Sequence, residues 1–286
     1  MDVLPEVAKE DCFAMHGGSA INLFVRNMPR LSVDIDLTYV EIAERTETLD
    51  AINDALIRIR KRIEKLRPTI RIQHRNAACK LLIDDGALIK IEVNTIGRGL
   101  LGEVTKTQLC KAAQEQFSVF CVMTIVPMGQ LYGSKLCAAL DRQHPRDLFD
   151  VKLLLENEGF TNDVKRGLMF ALASSSRPTH ELLDPNLLDQ RTVFEHQFEG
   201  MSTVDFAYED FKTIRHQLIK TVKVGMDEND KTFLLSLNRL APDWSVYDFR
   251  EYPSVKWKIL NMEKFKRNTP DEYQRQLSEL EIVLKQ

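Results

Sequence analysis

The chain of 286 residues contains no apolar run near the ~20 residues that cross a bilayer. Its first residues include Asp2, Glu6, Glu10 and Asp11, where a secretory leader is basic and then apolar. The five cysteines (Cys12, Cys79, Cys110, Cys121 and Cys137) are odd in number, widely separated and free of any C-x-x-C pair. That pattern argues against a zinc knuckle and against a disulfide framework. There is no G-x-S-x-G elbow, no Walker A loop and no G-x-G-x-x-G fingerprint, so hydrolase, P-loop and dinucleotide readings lose their motifs. The histidines (16, 74, 144, 180, 196 and 216) lack ligand spacing. A net charge of −3 and a pI near 6.1 exclude a uniformly basic nucleic-acid coat and leave room for a local patch. The expected location is the cytoplasm, with no membrane partner.

A hydrophobic share of 44% and a charged share of 28% are globular values, enough for one large domain or two ordinary ones. The first half alternates helical and strand-like patterns. Phe13 to His16 is a short apolar lead into Gly17-Gly18-Ser19, with Ser19 the expected cap of a helix that Pro29 stops. Leu31 to Val40 reads as a strand in which Val33, Ile35 and Leu37 alternate with Ser32, Asp34 and Asp36. Glu47 to Leu66 has helical spacing. Strands are expected over 69–73, 79–83 and 87–95, with Asp85-Gly86 as a hairpin signal, and over 118–126. Helices are expected over 127–140 and 145–157 and throughout the remainder, the last beginning at Thr269-Pro270-Asp271-Glu272. The aromatics of this second half read as the core of a helical bundle. The expected division is an α/β domain with a mixed sheet over residues 1–160 and an all-helical domain over 161–286, packed against each other.

The chemistry concentrates in Gly17-Gly18-Ser19 followed by Arg30-Leu31-Ser32-Val33-Asp34-Ile35-Asp36. On a strand Asp34 and Asp36 point the same way. Two carboxylates that close repel unless a cation lies between them, and hard oxygen donors suit magnesium. The glycine pair lets backbone approach phosphate, and exposed amides at a helix start favour negative charge. Arg30 and Ser32 can assist phosphate binding, although Arg30 can equally be a surface residue. In Leu88 to Val93, Lys90 and Glu92 share the face opposite Ile89, Ile91 and Val93. Glu92 can therefore complete a metal site or act as a base. A lone D-x-D is often a solvated strand face, and a lone G-G-S a turn; their order and close spacing carry the signal.

That order resembles the nucleotidyltransferase superfamily with a DNA polymerase β-like fold, and more specifically the AbiEii/AbiGii branch of bacterial toxins. The shared motifs are G-G-S, R-x-S-x-D-x-D, the Ile89-Lys90-Ile91-Glu92 strand, Lys135-Leu136-Cys137-Ala138 and Arg146-Asp147-Leu148-Phe149-Asp150. They span roughly residues 13 to 157, with a weaker echo in Tyr252 to Lys258. The third acid is Glu92, where the wider superfamily often has aspartate. The resemblance implies Asp34, Asp36 and Glu92 as metal ligands for magnesium or manganese, and Gly17, Gly18, Ser19, Arg30, Ser32 and Lys135 as the nucleotide-binding set. It implies that Lys135 binds triphosphate and that Asp147 orients Lys135 or a nearby arginine, with Asp150 behind them. It further implies a nucleoside triphosphate substrate, an RNA acceptor such as tRNA, and a cognate antitoxin.

On its own residues, Lys135 sits on an amphipathic helix from which an ammonium can reach phosphate, or solvent. Arg146 and Asp150, four apart, can form an ordinary helical ion pair. The segment from Arg58 to Arg75 is strongly basic, and Arg58, Lys61, Arg62 and Lys65 share one helix side. That stripe is either an RNA contact or a solvated face. The expected activity is transfer of a nucleoside monophosphate to an RNA 3′ end with release of pyrophosphate. The rivals are a nucleotidyltransferase acting on a small molecule such as an antibiotic, and a nucleotide-binding interaction protein of weak turnover.

Overall fold

A computed structural model of the chain describes residues 1–285. Its residues form two compact units, Met1–Pro127 with Ser202–Val204, and Met128–Met201 with Asp205 onward. The division falls after Pro127, not at the expected residue 160, so the helices carrying Lys135 and Asp147 group with the helical unit.

The first unit runs α1 (Leu4–Val7), β1 (Phe13–His16), α2 (Gly17–Ala20), β2 (Ile35–Tyr39), α3 (Arg45–Leu66), β3 (Arg71–Arg75), β4 (Lys80–Asp84), β5 (Leu88–Asn94), β6 (Thr105–Gln108), α4 (Lys111–Phe117) and β7 (Val122–Ile125). The strands form one mixed sheet in the order β3-β4-β5-β2-β1-β7-β6. Strand β2 runs parallel to β5 and β1 parallel to β7, and the other neighbours are antiparallel. Phe13, Ala14 and Met15 are fully buried because β1 lies inside the sheet, so the apolar lead is a central strand. Alternation holds through β4, β5 and the start of β2, where Leu81, Ile83, Ile91, Val93, Ile35 and Leu37 are buried, and ends where Thr38 and Tyr39 are buried as well. Val33 departs from the expected pattern. It lies before β2 starts and is 65% exposed.

Helix α3 covers that apolar face with Ile52, Ala55, Leu56, Ile59 and Ile63. Its start is capped by the Glu44 carboxylate, which accepts from the Thr46 amide at 2.7 Å, and its run ends before Pro68. Asn53 of α3 approaches His74 of β3 at 3.0 Å, fixing which face of β3 the helix covers. After α2 the backbone makes a π-helical turn, Ile21–Val25, in place of the regular helix the periodicity predicts.

The second unit is entirely helical: α5 (Met128–Arg142), α6 (Pro145–Asn157), α7 (Asn162–Ser174), α8 (Thr179–Leu183), α9 (Arg191–Gln197), α10 (Tyr208–Gly225), α11 (Glu228–Asn238), α12 (Pro253–Asn268) and α13 (Pro270–Val283). Helices α5 and α7 touch backbone to backbone. A β-carbon on Gly133 would stand 2.1 Å from the Gly167 carbonyl carbon, and one on Gly167 1.8 Å from the Gly129 oxygen. Phe149 of α6 packs edge-on against Phe206, with centroids 5.5 Å apart, and Phe198 joins them. Phe170, Phe233, Phe249 and Tyr252 form a second aromatic group. The bundle-core expectation holds for these rings but not for Trp257, which is 51% exposed. No helix among the described residues is long and apolar enough to cross a membrane.

Candidate active site

Strand register assembles the acids. Asp36 of β2 and Glu92 of β5 are direct partners in the parallel pair, flanked by the buried pairs Ile35–Ile91 and Leu37–Val93. Side chains alternate along a strand, so Asp36 and Glu92 occupy the face opposite α3. Asp34, two residues before Asp36, joins them there: its carboxylate lies 4.0 Å from the Lys90 ammonium, which is 3.0 Å from Glu92. Lys80, the partner of Glu92 on the antiparallel side, donates to the other Glu92 oxygen at 3.2 Å. Burial pushes the Glu92 carboxyl up, but the hydrogen bonds from Lys90 and Lys80 outweigh it and hold the group below its usual range. Lys90 is held above the ordinary lysine range, first by Glu92 and further by the charges of Asp34 and Asp36.

The glycine turn sits directly on this face. His16 ends β1 opposite Asp36, and Gly17 follows at φ +74°, in the left-handed region that side chains avoid. A β-carbon on Gly17 would stand 2.7 Å from the Asp36 Oδ2. One on Gly18 would stand 2.7 Å from the Arg30 Nη2 and 3.2 Å from the Ser32 Oγ. Gly17 is therefore required by its conformation and close approach, and the turn lies against an acid at Gly17 and a guanidinium at Gly18. Arg30 is 2% exposed, and its Nη1 donates to the Leu31 carbonyl at 2.9 Å. Its surface alternative is excluded. The backbone bridge from Arg30 to Ser202 ties this segment down further.

Ser19 does not cap the helix. Helix α2 begins at Gly17, and its cap position, His16, makes no side-chain bond to the helix. The Ser19 hydroxyl, 2% exposed, donates to the Asp34 carbonyl at 2.5 Å and lies 2.9 Å from the Ser32 Oγ. It fastens the glycine turn to the residue carrying the first carboxylate.

Asp34, Asp36 and Glu92 offer the hard oxygens that magnesium or manganese takes, on one side of one sheet. Among the described residues no three acidic, histidine or cysteine side chains are gathered closely enough to hold a metal ion. Lys90 supplies the positive charge between Asp34 and Glu92 instead. The donor chemistry fits a divalent ion, and the Lys90 ammonium must yield for Glu92 to join it.

The helical unit holds a second cluster. Lys135 of α5, 7% exposed, reaches Asp147 at 2.7 Å and Asp150 at 3.0 Å, both on α6. Asp150 thus pairs across helices with Lys135, in place of the i,i+4 partner Arg146 expected from spacing. Arg142, with its side chain 62% exposed, binds the same Asp147 through Nε at 2.5 Å and Nη2 at 3.0 Å. Burial alone would raise the Asp147 carboxyl, yet the Lys135 charge and the Arg142 hydrogen bonds keep it far below the usual carboxylate range. Asp147 orients a buried lysine and an exposed arginine together.

The basic stripe of α3 takes a different form from the one expected. Arg58 grips Glu10 at 2.7 Å, and Arg62 pairs with Glu10 at 2.7 Å and Glu6 at 3.3 Å. These two cations lock α3 to the N-terminal segment, although Arg58 stays exposed, and Lys61 and Lys65 are the other exposed members of the stripe.

Sequence reasoning missed Lys80, Lys90 and Arg142. Lys90 was legible as two residues from Glu92 on the same face, and Arg142 as two helical turns beyond Lys135. Lys80 required the pairing of two strands.

A mixed sheet of this kind, with a glycine turn against paired carboxylates and a following helical unit, defines a nucleotidyltransferase-like protein. The structure is similar to MenT4, a nucleotidyltransferase toxin from Mycobacterium tuberculosis H37Rv, with a TM-score of 0.61 over 91% of this chain and 90% of that one. At 12% identity the likeness is one of fold. The sequence itself supplies the family. Residues 1–279 match the nucleotidyl transferase AbiEii toxin of type IV toxin–antitoxin systems, and the chain belongs to that family. No curated protein matches it in sequence.

Proposed function

We propose that this nucleotidyltransferase toxin transfers a nucleoside monophosphate from a nucleoside triphosphate to the 3′ end of an RNA such as tRNA, and is restrained by a cognate antitoxin. The observation that carries the reading is the register of Asp36 with Glu92 on the open face, beside a Gly17 turn that leaves no room for a β-carbon next to the Asp36 carboxylate.

In this reading the Gly17 and Gly18 amides approach the triphosphate, with Arg30 and Ser32 behind them. Ser19 holds the turn to Asp34. Asp34, Asp36 and Glu92 hold magnesium or manganese, which when bound neutralises phosphate charge and acts as a Lewis acid. Glu92, kept ionised by Lys80 and Lys90, suits a ligand better than a base, because a carboxylate held below its usual range accepts protons poorly. Within the helical unit, Lys135, oriented with the exposed Arg142 by Asp147, is the phosphate-binding lysine that the family motif implies. The acceptor hydroxyl gives its proton to solvent water, its oxygen bonds to the α-phosphorus, and the bond from that phosphorus to the bridging oxygen breaks, its electron pair leaving with pyrophosphate.

A second reading, a nucleotide-binding interaction protein of weak turnover, draws on the Lys90 ammonium standing between two of the acids. Incubation with magnesium, total RNA and each α-labelled nucleotide in turn separates the two. Label entering RNA with wild type and not with Asp36→Ala supports transfer. Nucleotide binding with no labelled RNA supports the second reading.

A further inference from the structure

We propose that the open face of β3, β4 and β5 is the track on which the RNA acceptor lies, with Arg71, Arg75 and Lys80 meeting its phosphates. The inference rests on the transfer to RNA proposed above and deepens it by assigning the acceptor's path.

The register of five strands places one side chain from each in a single row. His16 is opposite Asp36, Asp36 opposite Glu92, Glu92 opposite Lys80, and Lys80 opposite Arg75. With strands about 4.8 Å apart, the row from Asp36 to Arg75 covers about 14 Å. It runs from acids that attract cations to cations that attract phosphate. Arg71, Gln73 and Arg75 alternate outward along β3, and all three are exposed. The Arg75 guanidinium donates to a neutral group, the Gln73 Oε1, at 3.4 Å. The acid on this stretch of the face is Asp84, opposite Arg71, so Arg75 and Lys80 form the more strongly positive end.

The other face of the same strands is closed. Cys79, Leu81, Ile83 and Ile91 are buried there, and Asn53 of α3 meets His74. Lys61 and Lys65 therefore ride on the helix that covers the wrong side, and Arg58 and Arg62 of the same stripe are committed to Glu10 and Glu6. An acceptor must bring its terminal hydroxyl to the acids and lay the rest of itself somewhere. A polyanion finds cations in line with the acids on the open face of the sheet.

The test is fluorescence anisotropy of labelled tRNA against the full-length protein, with Arg71→Ser plus Arg75→Ser as the variant. The expected result is a Kd weaker by about tenfold and a salt dependence shallower by about one to two phosphate contacts. Arg71→Lys plus Arg75→Lys should stay within about twofold of wild type, since charge is kept. Lys61→Ser plus Lys65→Ser should also leave the Kd unchanged. Circular dichroism confirms folding of each variant, whose altered side chains are all exposed. An unchanged Kd in the serine variant, while wild type still labels RNA, overturns the track and leaves the transfer reading standing. If wild type labels no RNA, the transfer reading itself has failed. Weakened binding of the antitoxin with an unchanged RNA Kd overturns the proposal and assigns the face to a protein.

Discussion

Asp36 and Glu92 stand side by side on neighbouring parallel strands, with the Lys90 ammonium 3.0 Å from Glu92 and 4.0 Å from Asp34. The acidic face thus carries its own counter-cation. Replacing Lys90 with glutamine should leave the carboxylates repelling one another until a divalent ion arrives. The expected outcome is manganese binding, measured by calorimetry, tighter by roughly fivefold, together with a lower melting temperature in chelator that added manganese restores. Weaker manganese binding in the variant would contradict this account of Lys90.

The Gly17 turn has no room for a side chain. Gly17→Ala must relieve a 2.7 Å approach to the Asp36 carboxylate and a φ of +74° at once. The strain should cost about 1–3 kcal/mol of stability. Displacement of the carboxylate should lower transfer by about 10²-fold. The comparison of melting temperature with labelled-nucleotide transfer checks both, and full activity in the variant would detach Gly17 from the site.

Asp147 is the hub of the buried cluster on α5 and α6. Removing its charge in Asp147→Asn leaves Lys135 with Asp150 as its remaining carboxylate and releases Arg142, at an expected cost of about 3–5 kcal/mol. The pH dependence has a definite sign. Its folded-state carboxyl is held far below the ordinary 3.8, so the stabilisation is complete above that value and drains away as pH falls below it. The variant should show a flatter acid limb in denaturant titrations between about pH 4 and pH 2.

Lys258 gives the same sign in an alkaline window. It is buried in α12, donates to the Leu172 carbonyl at 2.8 Å near the end of α7, and lies 3.4 Å from the Thr179 hydroxyl. Burial pushes its ammonium down from 10.5 to about 8. Between those values the unfolded chain holds a proton that the folded chain has lost, so this group makes the protein more stable as pH rises through that window. The slope contributed is about 1.4 kcal/mol per pH unit. Lys258→Met should erase it in chemical denaturation at pH 8 to 10, while an unchanged slope would show that the lysine stays charged throughout.

The sequence carried local periodicity well and pairings between elements poorly. The strand-helix order of the first half and the boundaries of α6 were legible because apolar spacing and the Pro145 start coincide. Strand β6, with the polar sequence Thr-Lys-Thr-Gln, lies at the sheet edge and has no buried face to leave a pattern. Helix α12 buries only Ser254, Val255 and Lys258, so its inward face includes a lysine and leaves no apolar stripe to read. The same limit shaped the reading of the site. Asp34, Asp36 and Glu92 could be placed on strand faces from their own neighbours. That Ser19 is bonded to Asp34, that Lys90 bridges two acids, and that Arg58 and Arg62 serve Glu10 depend on contacts between distant segments.

The central claim is that the acids of β2 and β5 catalyse nucleotidyl transfer to RNA. The most direct measurement is mass spectrometry of RNA 3′ ends after incubation with magnesium and the four nucleoside triphosphates. The account predicts a mass gain of one or more nucleoside monophosphates with wild type, matched by released pyrophosphate, and no gain with Asp34→Asn, Asp36→Asn or Glu92→Gln. RNA extended equally by wild type and by Asp36→Asn would contradict it.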